Sequence, residues 1–208
     1  MVAGSTRHLE PLARWSPALF LAGGGLVVGH AAVNGVEAFT TNTPPPDVFG
    51  PAGYLLAVVG LLGLYPAFAE RTPRLARAAA AVAAVPLAGW IAVLAVTLGA
   101  FAGVVPSVSE SLPGWVLAVH LATLLLAYVL FGVAGLRSGG HLRTVGGLLL
   151  VAPALWVAML AGAALLENGA VGPFLVGAGQ ALVHLGVGAT LRAARLDEET
   201  PAGDPTPG

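Results

Sequence analysis

The 208-residue chain has no cysteine and no lysine, and only 9% of its residues are charged. The missing cysteine excludes disulfides, cysteine-ligated metal and thiol nucleophiles. The shortage of charge goes further. A soluble domain carries about 25% charged residues, and a chain this poor in them cannot cover a globule with polar surface, so lipid must be part of its solvent. A net charge of −1 gives no basic footprint for nucleic acid. Catalytic signatures are also missing. There is no G-x-x-x-x-G-K-[ST], no G-x-S-x-G and no paired acidic motif for Mg²⁺–phosphate chemistry. Ser107, Ser109 and Ser111 share one connector, but no nucleophile–base–orienter set accompanies them. An enzyme is not the expectation.

What the chain does have is apolar length: 57% of it is hydrophobic. Six runs, 17–39, 51–69, 78–104, 114–136, 144–166 and 173–191, approach or exceed the roughly 20 residues that cross a bilayer. Between them lie 41-TNTPPPDVFGP-51, 70-ERTPRLAR-77, 105-VPSVSESLPG-114, 137-RSGGHLR-143 and 167-ENGAVGP-173, rich in turn formers and charge. The expected fold is all-α: a polytopic integral membrane protein built as a six-transmembrane-helix bundle. The first run exceeds the apolar core of a signal peptide, about 7–15 residues, and is read as a retained span.

Charge placement tests this division. All nine basic residues are Arg, and they stand at 7, 14, 71, 74, 77, 137, 143, 192 and 195. With six spans, every one falls on the same side, which the positive-inside rule makes cytoplasmic. Asp47, Glu110 and Glu167 occupy the opposite connectors, where no Arg stands. Both termini are therefore expected inside, in the cytoplasmic membrane of a prokaryote. Residues 1–15 read as a cytoplasmic segment and 16–195 as the membrane domain. Residues 196–208 read as an acidic, Pro- and Gly-rich disordered tail.

A weak internal repeat is visible. 53-GYLLAVV-59 resembles 114-GWVLAVH-120, and 90-WIAVLA-95 resembles 156-WVAMLA-161, with Pro86 and Pro153 shortly before the two Trp. Spans two and three thus resemble four and five in the same orientation, as parallel repeats do in transporter folds. The two prolines should kink their helices. Gly25-x-x-x-Gly29 offers a smooth face for close helix packing, inside the bundle or against a second copy.

The polar residues at membrane depth are few. His30, Asn34 and Glu37 recur at i, i+4 and i+7 on span one, His120 lies on span four, and Gln180 and His184 lie on span six. At 1.5 Å per residue, His30 sits about 3 Å outward of its span's midpoint, Asn34 about 9 Å, Glu37 about 13 Å and His120 about 7 Å. Gln180 sits about 3 Å outward and His184 about 3 Å inward. Three helices thus bring polar groups to one slab, mostly in the outer half. Tyr54, Trp115 and Phe174 at outer span ends fit an aromatic belt.

Three readings stay open. Interhelical hydrogen bonds alone make a scaffold or complex subunit, whose partners are the lipid bilayer and a membrane protein or a second copy. Ionisable groups facing a bundle interior also mark proton or solute paths, which makes a transporter. Histidines on different helices can ligate haem b, His30 pairing with His120 or with His184. The same three imidazoles, His30, His120 and His184, are conceivable zinc ligands, although no H-x-x-x-H spacing supports them.

Overall fold

In a computed structural model, residues 10–42, 47–106, 108–162 and 171–199 are described. They form α1 (Glu10–Phe39), α2 (Phe49–Gly63), α3 (Tyr65–Arg71), α4 (Pro73–Phe101), α5 (Val108–Ser111), α6 (Gly114–Ser138), α7 (Gly140–Gly162) and α8 (Val171–Glu199). No strand occurs among the described residues. Six helical stretches are long and apolar enough to cross a membrane, with α2 and α3 together making the second.

The helices overrun the apolar runs at several ends. α1 starts inside the stretch read as an N-terminal segment, and α8 runs to Glu199, into the stretch read as tail. The rest of that tail, 200–208, lies outside the described residues, as do 1–9 and Glu167. Pro86 and Pro153 sit within continuous helices. The break in the described spans comes elsewhere, at Leu64 between α2 and α3, with Pro66 in the first turn of α3. Proline has no N–H to donate and suits a helix's first turn, so the chain restarts there rather than continuing straight.

Consecutive spans pack side by side, α1 on α2, α2 on α4, α4 on α6, α6 on α7 and α7 on α8, and α8 returns to α1. The six spans close a ring in chain order. Arginines tie one end together. Arg195 near the end of α8 donates to the carbonyls of Ala13 and Arg14 in α1, and Arg71 donates to the carbonyl of Ser138. A cation on the last carbonyls of α6 also complements the helix dipole. The described chain therefore begins and ends at this end of the bundle, called proximal below. Asp47 and α5 lie at the distal end.

The core is proximal and dry. Phe20, Leu61, Phe68, Phe131, Leu149 and Val187 are fully buried in one apolar cluster. Lipid is as apolar as leucine, so this cluster is held by close van der Waals packing rather than by escape from water. Trp15, Ile91, Leu98, Val157, Leu160 and Leu182 face outward, a surface suited to lipid and to a multi-pass membrane protein.

Glycines set the closest approaches, and those expected are met in part. A Cβ on Gly25 would meet nothing within 4 Å, whereas one on Gly29 would stand 3.0 Å from the Phe49 side chain of α2. The backbones of α1 and α2 instead meet at Gly23 and Gly53, where an added Cβ on either would lie 2.8 Å from the other's neighbouring backbone or side-chain atoms. Within the chain the close approach to α2 therefore runs through Gly23 and Gly29, while Gly25 faces away from it. Gly146 is tighter still, since a Cβ there would stand 2.5 Å from the carbonyl oxygen of Gly132 in α6.

Candidate functional site

The polar stripe on α1 finds its partner in a loop. His30 Nδ1 is hydrogen-bonded to Asp47 Oδ2 in a close imidazole–carboxylate pair. The other carboxylate oxygen of Asp47 accepts from the backbone N–H of Phe49 (3.0 Å) and of Gly50 (3.3 Å) at the start of α2. One side chain thus satisfies two of the free donors of a helix N-terminus while its second oxygen holds His30. Burial alone raises the carboxyl pKa. The hydrogen bond and charge of His30, with the two backbone N–H groups, outweigh it and hold Asp47 below its ordinary value. Asn34, one turn along α1, donates its Nδ2–H to the His30 carbonyl (3.0 Å) and lies 3.1 Å from His30 Nε2, bracing the ring.

Glycine makes the room for this pair. A Cβ on Gly50 would lie 2.7 Å from His30 Nδ1 and 2.9 Å from Asp47 Oδ2. On the other side, Gly177 of α8 lets the His30 ring approach, its Cβ position lying 3.3 Å from Cδ2.

The pair borders a cavity of about 610 Å³ at the distal end, within the roughly 300–1,000 Å³ of small-molecule sites. Its wall is mainly apolar and aromatic. Tyr54, Trp90, Trp156 and Met159 contribute, and the polar groups on it are His30, Asp47 and Thr97. Tyr54 and Trp90 are the lining residues nearest the proximal side on α2 and α4, so they form its floor. Their rings stack at 4.9 Å between centroids, 14° from parallel.

Beneath that floor lies a second polar layer. His184 of α8 is fully buried, its Nε2 hydrogen-bonded to the Tyr128 hydroxyl at 2.6 Å, and its ring lies edge-on to Tyr54 at 5.9 Å. His120 of α6 lies edge-on to Trp90 at 4.5 Å, seated over Gly89, and neither of its ring nitrogens has a hydrogen-bond partner. Gln180 is buried and donates to the Ala152 carbonyl of α7 at 2.8 Å. The Tyr54 hydroxyl and Trp90 Nε1 are also buried without a partner.

The expected residues therefore sort themselves. His30 lines the cavity, and Asn34 reaches only His30, through the hydrogen bond to its carbonyl. His120 and His184 each stand one aromatic ring away from it, and Gln180 bonds a different helix. Glu37, on the same stripe, is exposed beyond the site. The three histidines do not converge on one point. Among the described residues no group of three His, Cys, Asp or Glu side chains could hold a metal ion, because Tyr54 and Trp90 lie between the imidazoles.

Asp47, Tyr54, Trp90 and Tyr128 join the site beyond the residues expected from the sequence. Asp47 stands in a connector, and Asp just ahead of an apolar run is a helix-start signal. Tyr54 is no member of an aromatic belt, being 4% exposed, whereas Trp115, its match in the repeat, is 70% exposed. Tyr128 lies two turns along α6 from His120, and that spacing was the available signal. The chain matches no protein-family model, no curated protein and no solved structure.

Proposed function

We propose that this is a small integral membrane protein, of binding-subunit rather than enzymatic type, that holds a small and mostly apolar molecule in the distal cavity. The observation that carries this reading is one cavity of about 610 Å³ walled by aromatic and aliphatic side chains, with the His30–Asp47 pair on its wall. Such a mixture, largely apolar with a few fixed polar groups, is the usual make-up of a small-molecule site. Apolar wall supplies contact area, and the pair supplies orientation.

Arginine placement supports the orientation: both termini cytoplasmic and the cavity facing outward, in a prokaryotic cell membrane. The hairpin repeat keeps one point in its favour, since its matched tryptophans, Trp90 and Trp156, both line the cavity.

Transport of the bound molecule is the second reading. The cavity would be its outward-facing state. The apolar cluster around Phe20, Leu61 and Phe131 fills the proximal half, so a path to the other side needs the ring of helices to open. Haem b draws less support. His30 alone of the three histidines lines the cavity, and His184 Nε2 is engaged by Tyr128.

The test is chemical identification of what co-purifies. Protein extracted in native lipid is compared with Val93→Trp, which puts a large side chain into the cavity wall. A small apolar molecule enriched with the wild type and absent from the variant is expected. Equal retention by both proteins would sink the proposal. Uptake into vesicles then separates binding alone from transport.

A further inference from the structure

The cavity has a neighbour on the lipid-facing surface. A second hollow, of about 350 Å³, lies between α7 and α8 and is lined by Leu155, Ala158, Met159, Gly162, Leu175 and Val176 among others. Met159 and Val176 line both spaces, so the two adjoin. Small residues open the groove: a Cβ on Gly162 would meet nothing within 4 Å. Leu160 and Leu175 beside it are well exposed, which places its mouth on the face that lipid covers. A third hollow between α1 and α8 shares no lining residue with the cavity.

A site with an apolar side door and a polar pair on its inner wall selects by partition. A freely water-soluble solute has no use for the groove. A molecule already dissolved in the bilayer does, because its apolar chain can lie between α7 and α8 while its head passes Met159. The wall within favours a flat head, since Tyr54 and Trp90 are stacked and Trp156 also lines the space. On the basis of the binding role proposed above, we infer that the ligand is a lipid-soluble amphipath. It has a flat conjugated head and an apolar chain, the chemistry of a prenylated quinone. It enters laterally, with its head against the aromatic wall near His30 and Asp47 and its chain in the α7–α8 groove.

The test uses tryptophan fluorescence. Trp15 and Trp115 are lipid-facing, so Trp15→Phe with Trp115→Phe leaves Trp90 and Trp156 as reporters in the cavity wall. Two probes are titrated into protein in nanodiscs, a dimethoxy-methyl-benzoquinone and its decyl derivative, with concentration expressed per lipid to remove the effect of partition. Saturable quenching by both is expected. Gly162→Phe, which adds a ring to the groove lining at a position where a Cβ meets nothing within 4 Å, should weaken the decyl probe by about tenfold and leave the chainless head unchanged. If Gly162→Phe affects neither or both probes alike, lateral seating of the chain is wrong while the cavity still binds. If only unsaturable quenching is seen, as for free tryptophan in lipid, the ligand class falls. The co-purification comparison with Val93→Trp then decides separately whether the binding role falls with it.

Discussion

Asp47 does two jobs with two oxygens, and two substitutions separate them. Asp47→Asn keeps an oxygen for the N–H groups of Phe49 and Gly50 but removes the charge that faces His30. Asp47→Ala removes both. The side chains of the pair are 23% and 22% exposed, between an exposed ion pair, worth about 0–1 kcal/mol, and a buried one, whose breaking costs about 3–5 kcal/mol. Loss of the charge should therefore cost about 1–2 kcal/mol. Loss of an N-terminal capping side chain costs about 0.5–2 kcal/mol, so Asp47→Ala should cost about 1.5–4 kcal/mol in all. The assay is reversible unfolding in mixed detergent micelles, with His30→Gln and the double variant completing a cycle. The cycle should give a coupling of about 1 kcal/mol between Asp47 and His30.

The pH dependence follows from the sign of the shift. The folded carboxyl titrates below its ordinary value of 3.8, so the unfolded chain binds the proton more readily. The stabilisation is complete above that ordinary value and is lost as pH falls through the folded one. The gap between wild type and Asp47→Asn should stand at about pH 5 and close only under more acid conditions. Equal cost for Asn and Ala, zero coupling to His30, or a gap that closes well above the ordinary carboxyl value would each refute the two-oxygen account.

Other expectations rest on different contacts. Gly50→Ala should displace the His30–Asp47 pair and cost about 1–3 kcal/mol, read by the same unfolding assay; no loss would mean that the pair has room to move. Gly146→Ala forces a Cβ against the α6 backbone and should cost about 3 kcal/mol or more. Its neighbour Gly147, with nothing within 4 Å of a Cβ, should accept Ala with no loss, and equal behaviour of the two would contradict the packing of α6 on α7. Tyr128→Phe leaves the fully buried His184 without its hydrogen bond and should cost about 1–3 kcal/mol. A neutral result would show that another group satisfies His184.

Membrane architecture was legible because it is a one-dimensional property. Whether a segment lies in lipid depends on the local length of apolar run and on the charges flanking it, and both can be read along the chain without knowing which helix meets which. Even the break at Leu64 had a local sign in Pro66. Counting residues also put Glu37 outermost on its stripe, where it is exposed, but it set His120 outward of His30, whereas His120 lies behind Trp90 and only His30 lines the cavity.

Neighbours were not legible. These helices are apolar nearly all round, so hydropathy names no preferred face, and Gly23 and Gly25 look alike until the ring of six spans turns one toward α2 and the other outward. Asp47 reads as a loop charge until α2 packs on α1 and brings it to His30. Tyr54 reads as an interfacial aromatic until Trp90 of α4 stacks on it. The histidines of spans one, four and six share a slab by counting, yet Tyr54 and Trp90 stand between them. Depth in the bilayer is fixed by solvation, which each segment carries in its own sequence, whereas the cavity and its groove exist only in the space that several helices leave unfilled when they pack.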